Sequence, residues 1–156
     1  EWKEVIVKPQ FSKDQGAYCF RFTSERDDFG RILTAPTDAV VVQRYVPYTR
    51  LSRVIVVGFK ALEQAVFYDE PGNDWKCSVC LNPNIKHEKK PNAALLELAE
   101  ETARAYNAEI TFIDFFTTPG GYVLNEINTA CSLMNHERLS GYSISKRIAK
   151  YLVGKI

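Results

Sequence analysis

The chain has 156 residues, 46% of them hydrophobic and 25% charged, and its 20 basic residues nearly balance its 19 acidic ones. This length suits about one domain, and the high hydrophobic content with a net charge of only +1 excludes intrinsic disorder. The balanced charge also argues against nucleic-acid or membrane binding through overall charge, and no apolar run approaches the ~20 residues that span a bilayer.

Three short strands are predicted in the first third of the chain. Each is a run of β-branched or aromatic residues that ends at a proline or a polar segment, and they cover residues 5–9, 18–22 and 39–46. The third run is rich in valine and is typical of a buried strand. Polar residues from 10 to 17 and from 23 to 38 predict loops.

Two hairpins are predicted in the rest of the chain. One joins strands at residues 52–59 and 60–68 near Gly58, and the other joins strands at residues 110–117 and 122–128. Hairpins connect antiparallel strands, so these segments predict an antiparallel sheet.

Two helices are predicted beside these hairpins. The first covers residues 92–106 and carries one apolar stripe at helical spacing, formed by Leu95, Leu96, Ala99, Ala103 and Tyr106. The second begins at Ser140 or Ser143, each a good helix cap, and ends at Val153. Residues 69–92 hold several prolines and no periodicity, which predicts a long functional loop. The order of elements predicts an α+β fold with helices packed on an antiparallel sheet.

The second hairpin is predicted to bring two carboxylates together. If its loop comprises residues 119–121, Thr118 pairs with Tyr122. Continuing that register places Asp114 directly opposite Glu126, with Cβ atoms about 4.5–5.5 Å apart.

Asn128 adds an amide to these two carboxylates, because it lies two residues after Glu126 and shares a strand face with it. Carboxylates crowded among apolar neighbours such as Ile113 and Phe115 repel each other unless a cation neutralises them. Oxygen ligands on a rigid sheet suit Mg²⁺. The same spacing is also compatible with the polar, solvent-facing side of a half-exposed hairpin.

The hairpin resembles the metal-binding motif of the ATP-grasp superfamily, in which Asp114 is followed by the segment 125–129, Asn-Glu-Ile-Asn-Thr. Residues 5–9 resemble that fold's strand with an ATP-phosphate lysine, residues 41–47 its adenine-side hinge, and residues 52–58 its strand with a phosphate-facing arginine. The resemblance points to the branch of ribosomal-protein glutamate ligases and glutathione synthetase-like enzymes, and to the C-terminal part of the ATP-grasp domain.

This resemblance implies roles for individual residues. The implied metal ligands are Asp114, Glu126 and Asn128. The residues implied to bind ATP are Lys8, Ser12, Gly16, Gln43, Arg44, Tyr45 and Val46. Arg53 is implied to contact the transferring phosphoryl group, and Lys76 to meet a substrate carboxylate. The alternatives are a solvated lysine at a strand end for Lys8 and a surface ion pair for Arg53.

The implied activity is that of an ATP- and Mg-dependent (or Mn-dependent) carboxylate–amine ligase that works through an acyl phosphate. Its partners would be a carboxylate and an amine, each a small molecule or a peptide, and homo-oligomers are possible. Residues 1–47 would be the remainder of the N-terminal lysine and phosphate-loop subdomain, and residues 48–156 the metal-binding subdomain, of a longer cytoplasmic enzyme. A degenerate ATP-grasp module that binds nucleotide or a partner without catalysis is the alternative.

The cysteines favour a reduced, intracellular protein, because four of them are too few to stabilise a secreted mini-protein. Cys77 and Cys80 form a CxxC pair, and His87 follows, which amounts to half a zinc site. We interpret the pair as thiols in the substrate loop, beside Trp75 and Lys76. A zinc-stabilised interaction domain is the remaining alternative.

Overall fold

The computed structural model describes residues 3–10, 18–23, 39–72, 75–77, 79 and 84–156. The chain divides into two compact units, Glu1–Pro47 and Tyr48–Ile156. Helices and strands are mixed, and every strand pair in the described residues is antiparallel. The predicted α+β class is therefore confirmed.

The first unit contains a three-stranded sheet in the order β2-β1-β3. Its strands are β1 (Val5–Pro9), β2 (Phe20–Phe22) and β3 (Val40–Arg44). The prediction that the valine-rich strand is buried is wrong, because Val40, Val41 and Val42 are 42%, 38% and 52% exposed. In the described part of the unit, β3 is an edge strand that pairs with β1 alone.

The second unit contains a five-stranded sheet in the order β6-β5-β4-β7-β8. Its strands are β4 (Arg50–Val57), β5 (Lys60–Asp69), β6 (Lys86–His87), β7 (Ile110–Thr118) and β8 (Gly121–Asn128). The helices that accompany it are α1 (Ala93–Ala105), α2 (Met134–Ser140) and α3 (Ile144–Val153). One face of the sheet packs against α1, and the other face packs against α3.

Burial of β4 on both faces follows from its place at the centre of the sheet. Leu51 and Ile55 belong to the core on the α3 face, whereas Val54 and Val56 belong to the core on the α1 face. Side chains alternate between faces along a strand, so both sets must be apolar. Arg53 lies in the middle of this strand and is only 3% exposed, which makes it a charged residue inside the core.

Helix α1 forms much as its pattern predicts. The Asn92 side chain accepts a hydrogen bond from the backbone N–H of Ala94 at 2.9 Å, which caps the first turn. Leu95, Ala99 and Ala103 of the predicted stripe are buried, and Leu96 is half-buried. The prediction that Tyr106 belongs to the stripe is wrong, because this residue follows the final turn of the helix and is 64% exposed.

Two elements of the second unit were not predicted. Strand β6 lies within the predicted loop and pairs with β5. Helix α2 begins after Leu133 without a side-chain cap, so its start carries no local signal. Helix α3, in contrast, starts at the predicted Ser143, whose hydroxyl accepts from Lys146. None of the helices in the described part combines the length and apolarity needed to cross a bilayer.

The turn between β4 and β5 is in contact with helix α3. Gly58 and Phe59 have positive φ angles of 67° and 61°, as a tight two-residue hairpin requires. A Cβ atom on Gly58 would lie 2.5 Å from Cε2 of Tyr151, so this α3 ring rests directly on the glycine. The Tyr151 hydroxyl also donates to Glu109 at 3.0 Å.

Replacing Gly58 with alanine is expected to lower the free energy of unfolding by about 1–3 kcal/mol, because the added methyl displaces the Tyr151 ring. Urea denaturation measures this loss. Gly141→Ala is the matched control, since Gly141 has a φ of 68° and nothing within 4 Å of its Cβ position. It carries backbone strain alone, worth about 1 kcal/mol. Equal losses in the two variants would contradict a role for the ring contact.

Candidate functional site

Arg53, Asp114 and Glu126 lie side by side across three strands of the larger sheet. Arg53 of β4 pairs with Asp114 of β7, and Asp114 pairs with Glu126 of β8. Directly paired residues share a sheet face, which here is the face covered by α3. The predicted pairing of Asp114 with Glu126 is therefore confirmed. We call these three residues the charged row.

The turn that leads to this pairing is tighter than predicted. Only Pro119 and Gly120 form the loop, and Thr118 pairs with Gly121 rather than with Tyr122. The Thr118 hydroxyl donates to the Gly121 carbonyl at 2.8 Å and accepts from the Gly120 N–H at 3.2 Å. These bonds favour the two-residue turn.

A β-bulge restores the predicted partners. Phe115 pairs with Leu124, but Asp114 pairs with Glu126, so Asn125 is an extra residue on β8. Without this extra residue, Asp114 would oppose Asn125 and Glu126 would point to the other face. One inserted residue therefore decides whether the two carboxylates converge.

Arg53 and Asp114 form a bidentate ion pair inside the protein. Nε donates to Oδ1 at 2.7 Å, and Nη2 donates to Oδ2 at 2.8 Å. Both side chains are only 4% exposed. Neither charge would be stable at this depth without the other. The alternative of a surface ion pair for Arg53 is therefore wrong, because the pair is buried.

The segment after β8 also contacts the charged row. Nη1 of Arg53 donates to Sγ of Cys131 at 2.9 Å, across 78 residues of sequence. Sequence reasoning missed this contact, because no spacing rule links the two residues. All three guanidinium nitrogens of Arg53 thus have partners within the protein.

Three side chains with oxygen atoms lie at the charged row or beside it. Asp114 is buried, Asn128 is half-buried and Glu126 is exposed, so these predicted ligands extend from the core toward the surface. Carboxylate and amide oxygens are the ligands that Mg²⁺ prefers in proteins. No group of three His, Cys, Asp or Glu residues in the described ranges is arranged to hold a metal ion. Besides the carboxylates of Asp114 and Glu126, the predicted ligand set therefore has only the Asn128 amide.

The first unit carries the residues predicted to contact ATP. The register of β1 with β3 puts Lys8 and Gln43 on one face of the sheet and Arg44 on the other. Lys8 and Gln43 are half-buried, whereas Arg44 is exposed. Ser12 and Gly16 lie outside the described residues.

Tyr45 and Val46, the remaining predicted ATP contacts, continue the chain after β3. The backbone N–H of Tyr45 donates to the carbonyl of Glu4 at 3.0 Å. The guanidinium of Arg21 lies 3.9 Å from the centre of the Tyr45 ring and forms an ion pair with Glu4 at 2.7 Å. These contacts attach the predicted hinge to the sheet of its own unit.

Lys76 lies in a segment attached to the same face of the larger sheet as the charged row. Its ammonium is 5.4 Å from the centre of the Trp75 ring, and its side chain is exposed. The carbonyl of Trp75 accepts from the Tyr48 hydroxyl at 2.6 Å, and the Tyr48 ring stacks on Phe116 at 4.2 Å. The exposed cation therefore extends from an anchored segment.

Cys77 follows Lys76, and its free thiol is half-buried. Burial raises its pKa to about 11, and the nearby Asp69 carboxylate adds to this effect, while a hydrogen bond with Tyr48 opposes it. The thiol therefore stays protonated at neutral pH, whereas metal ligation and disulfide exchange require the thiolate. Cys80, its partner in the CxxC motif, lies outside the described residues.

One family model and several solved structures match the chain. The family model of the RimK-like ATP-grasp domain matches residues 3–152. No curated protein matches the chain. The fold is similar to that of the ATP-grasp ligase PsnB complexed with a phosphomimetic variant of its minimal precursor, Mg and ADP, with a TM-score of 0.69 and 14% identity. That match covers 99% of this chain and 46% of PsnB.

Two further solved structures share the fold. Macrocyclase MdnB from Microcystis aeruginosa MRC has a TM-score of 0.53 and 25% identity, over 73% of this chain and 40% of MdnB. The D-alanine–D-alanine ligase from Coxiella burnetii has a TM-score of 0.61 and 14% identity, over 98% of this chain and 44% of the ligase. The chain thus spans less than half the length of each of these proteins.

Arg53→Ala is expected to lower the free energy of unfolding by about 3–5 kcal/mol, because it leaves the Asp114 charge buried without a partner. An Arg53→Met/Asp114→Leu double variant should recover most of this loss, since it removes both charges. Urea denaturation of the single and double variants measures the coupling. Arg50→Ala is the control on the same strand, because its ion pairs are at the surface and are worth up to about 1 kcal/mol. A loss for Arg53→Ala no larger than that of the control would contradict the buried pair.

Alkylation of Cys77 by iodoacetamide is expected to be roughly a hundredfold slower near neutral pH than that of an ordinary thiol, because its pKa is about 11. Peptide-resolved mass spectrometry measures the rate, which should rise about tenfold per pH unit beyond the ordinary thiol pKa of ~8.5. Cys77 in the urea-unfolded chain is the control. A folded-state rate that levels off near pH ~8.5 would show that burial does not raise this pKa.

Proposed function

Because the chain belongs to the RimK-like ATP-grasp domain family, we propose that it is the nucleotide- and metal-binding part of a carboxylate–amine ligase. The enzyme would use ATP and Mg²⁺, or Mn²⁺, to form an amide or peptide-type bond in the cytoplasm. The likeness to PsnB, which is complexed with Mg and ADP, supports this choice of cofactors. We also propose that the chain acts within a longer enzyme, since it spans less than half of each similar ligase.

The direct pairing of Asp114 with Glu126 is the observation that carries the proposal. These two carboxylates and the Asn128 amide would hold the cation at the edge of the larger sheet. A divalent cation held there would supply positive charge to the phosphates of ATP. The exposed Glu126 leaves room for phosphate oxygens beside the protein ligands.

The first unit would supply the remaining nucleotide contacts. Lys8 would act as a point charge on the phosphates, and the backbone from Arg44 to Val46 would bind the adenine, with Gln43 beside it. Ser12 and Gly16 would belong to the loop that covers the phosphates and excludes water. The pairing of β1 with β3 supports this arrangement, because it joins the Lys8 strand to the Gln43 strand.

The proposed chemistry has two steps. A substrate carboxylate oxygen attacks the γ-phosphorus of ATP, which releases ADP and gives an acyl phosphate. An amine then attacks the acyl carbon, loses a proton and displaces phosphate. Lys76 would attract the carboxylate, which the exposed position of its ammonium permits. PsnB has been solved with the precursor peptide PsnA2, which supports a peptide as one candidate substrate.

The resemblance implies that Arg53 contacts the transferring phosphoryl group. Two of its five N–H donors bind Asp114 and a third binds Cys131, so the side chain is held in one orientation by these bonds. We therefore propose that Arg53 assists the reaction through Asp114, by fixing the position and charge of this ligand.

Glu126→Gln is expected to remove the effect of Mg²⁺ on ATP binding, because it takes a charge from the metal ligands. In the unmodified protein, calorimetry should give at least about tenfold tighter ATP binding with Mg²⁺ than with EDTA. In the longer enzyme that contains this chain, ADP formation should fall by a factor of about 10²–10³ when Glu126 is replaced. The control is Glu101→Gln, which removes an exposed carboxylate on α1.

Unchanged ADP formation in Glu126→Gln would refute the assigned role of this residue. If the longer enzyme that contains this chain binds Mg-ATP tightly but forms no ADP in the presence of carboxylate and amine substrates, the non-catalytic alternative is supported instead.

A further inference from the structure

The negative charge of the proposed metal site is partly cancelled by the protein itself. Asp114 and Glu126 each contribute one negative charge, Arg53 contributes one positive charge, and Asn128 is neutral. The cluster therefore carries a single net negative charge. The cancelled charge is that of Asp114, since both of its oxygens accept hydrogen bonds from Arg53.

The ion pair that cancels this charge lies in the core of the protein. The ion pair is 4% exposed, so solvent and salt screen it little. Arg53 is further held by Cys131, and it lies on the central strand of the sheet, with Leu51 and Ile55 buried on the same face. Glu126 is exposed and has no ion pair within the described part of the chain. It is therefore the one uncompensated charge of the cluster.

The single net negative charge of this cluster is smaller than the double positive charge of the cation. Mg²⁺ sites in proteins commonly combine one or two carboxylates with the phosphates of a substrate. Here one of the two carboxylates already interacts with a guanidinium. A nucleotide would bring the missing negative charge on its own phosphate oxygens.

We propose that Arg53 is a positioning residue that fixes Asp114 and keeps the site too weakly charged to bind a divalent cation alone, so that cation and nucleotide bind only together. This inference rests on the proposed function, because it takes Asp114, Glu126 and Asn128 as the metal ligands. Thermodynamic linkage then requires that the cation strengthens nucleotide binding by the same factor as the nucleotide strengthens cation binding.

Electron paramagnetic resonance of free Mn²⁺ provides a test that does not depend on activity. The chain is titrated with Mn²⁺ with and without ADP, and a titration of ADP without protein supplies the baseline. We expect weak Mn²⁺ binding by the chain alone and at least about tenfold tighter binding with ADP. Tight Mn²⁺ binding by the unmodified chain without nucleotide would overturn the proposal.

Two substitutions separate the charge of Arg53 from its shape. Arg53→Gln and Arg53→Lys both remove the planar fork, but only Arg53→Gln removes the charge. Nucleotide-free Mn²⁺ binding should become about tenfold tighter in Arg53→Gln and stay weak in Arg53→Lys. Both variants must be shown to be folded by circular dichroism. Equal nucleotide-free Mn²⁺ affinities of the two would indicate that Arg53 has a structural role alone and would overturn the proposal.

A third variant tests the charge deficit without touching the buried pair. Asn128→Asp adds a negative charge at a half-buried ligand, so it should bind Mn²⁺ without nucleotide about tenfold more tightly than the unmodified chain. Asn107→Asp is the control, because it makes the same change on the turn after α1. Equal affinities of these two variants would overturn the proposal even if Arg53→Gln fails to fold.

Failure of the proposed function gives a different result. If ADP does not increase Mn²⁺ binding and no variant binds Mn²⁺ more tightly than the unmodified chain, the charged row is not a metal site. If ADP strengthens Mn²⁺ binding but Arg53→Gln has the same nucleotide-free Mn²⁺ affinity as the unmodified chain, the metal site is supported and the proposed role of Arg53 is refuted.

Discussion

The buried ion pair between Arg53 and Asp114 is the interaction on which the rest of this structure depends. It joins the interior strands β4 and β7 of the larger sheet, in a core made mostly of apolar side chains. Each charge is stable there only because the other is present, and the two parallel hydrogen bonds restrict both side chains to one geometry. The position of Asp114, and through strand pairing that of Glu126, follows from this constraint.

The place of each residue in the sheet matches the role we propose for it. Arg53 and Asp114 lie on interior strands, where apolar layers on both faces exclude water. Glu126 and Asn128 lie on β8, the edge strand, where ligands have access. A rigid interior thus fixes one carboxylate, while the edge exposes the other. Function at the edge of a well-packed scaffold needs little movement of the backbone.

Stability and metal affinity make opposite demands on Asp114. The ion pair permits a carboxylate in the core, but it also cancels charge that a cation would use. If cation and nucleotide bind together, the phosphates compensate for this loss and the protein needs no unpaired buried charge. Replacement of Arg53 would then weaken the fold and strengthen nucleotide-free metal binding at once. These opposite effects would distinguish the role of Arg53 from that of a residue that only stabilises the core.

The sequence by itself determined the hairpins, helix α1 and the start of helix α3, because turn residues, apolar spacing and caps are local signals. It also predicted the meeting of Asp114 with Glu126, although through a three-residue loop that does not form. Only the tertiary structure decided the bulge at Asn125, the buried partner of Asp114 and the contact with Cys131. Arg53 lies 61 residues from Asp114 and 78 from Cys131, so these contacts depend on strand order and register, which no local pattern specifies.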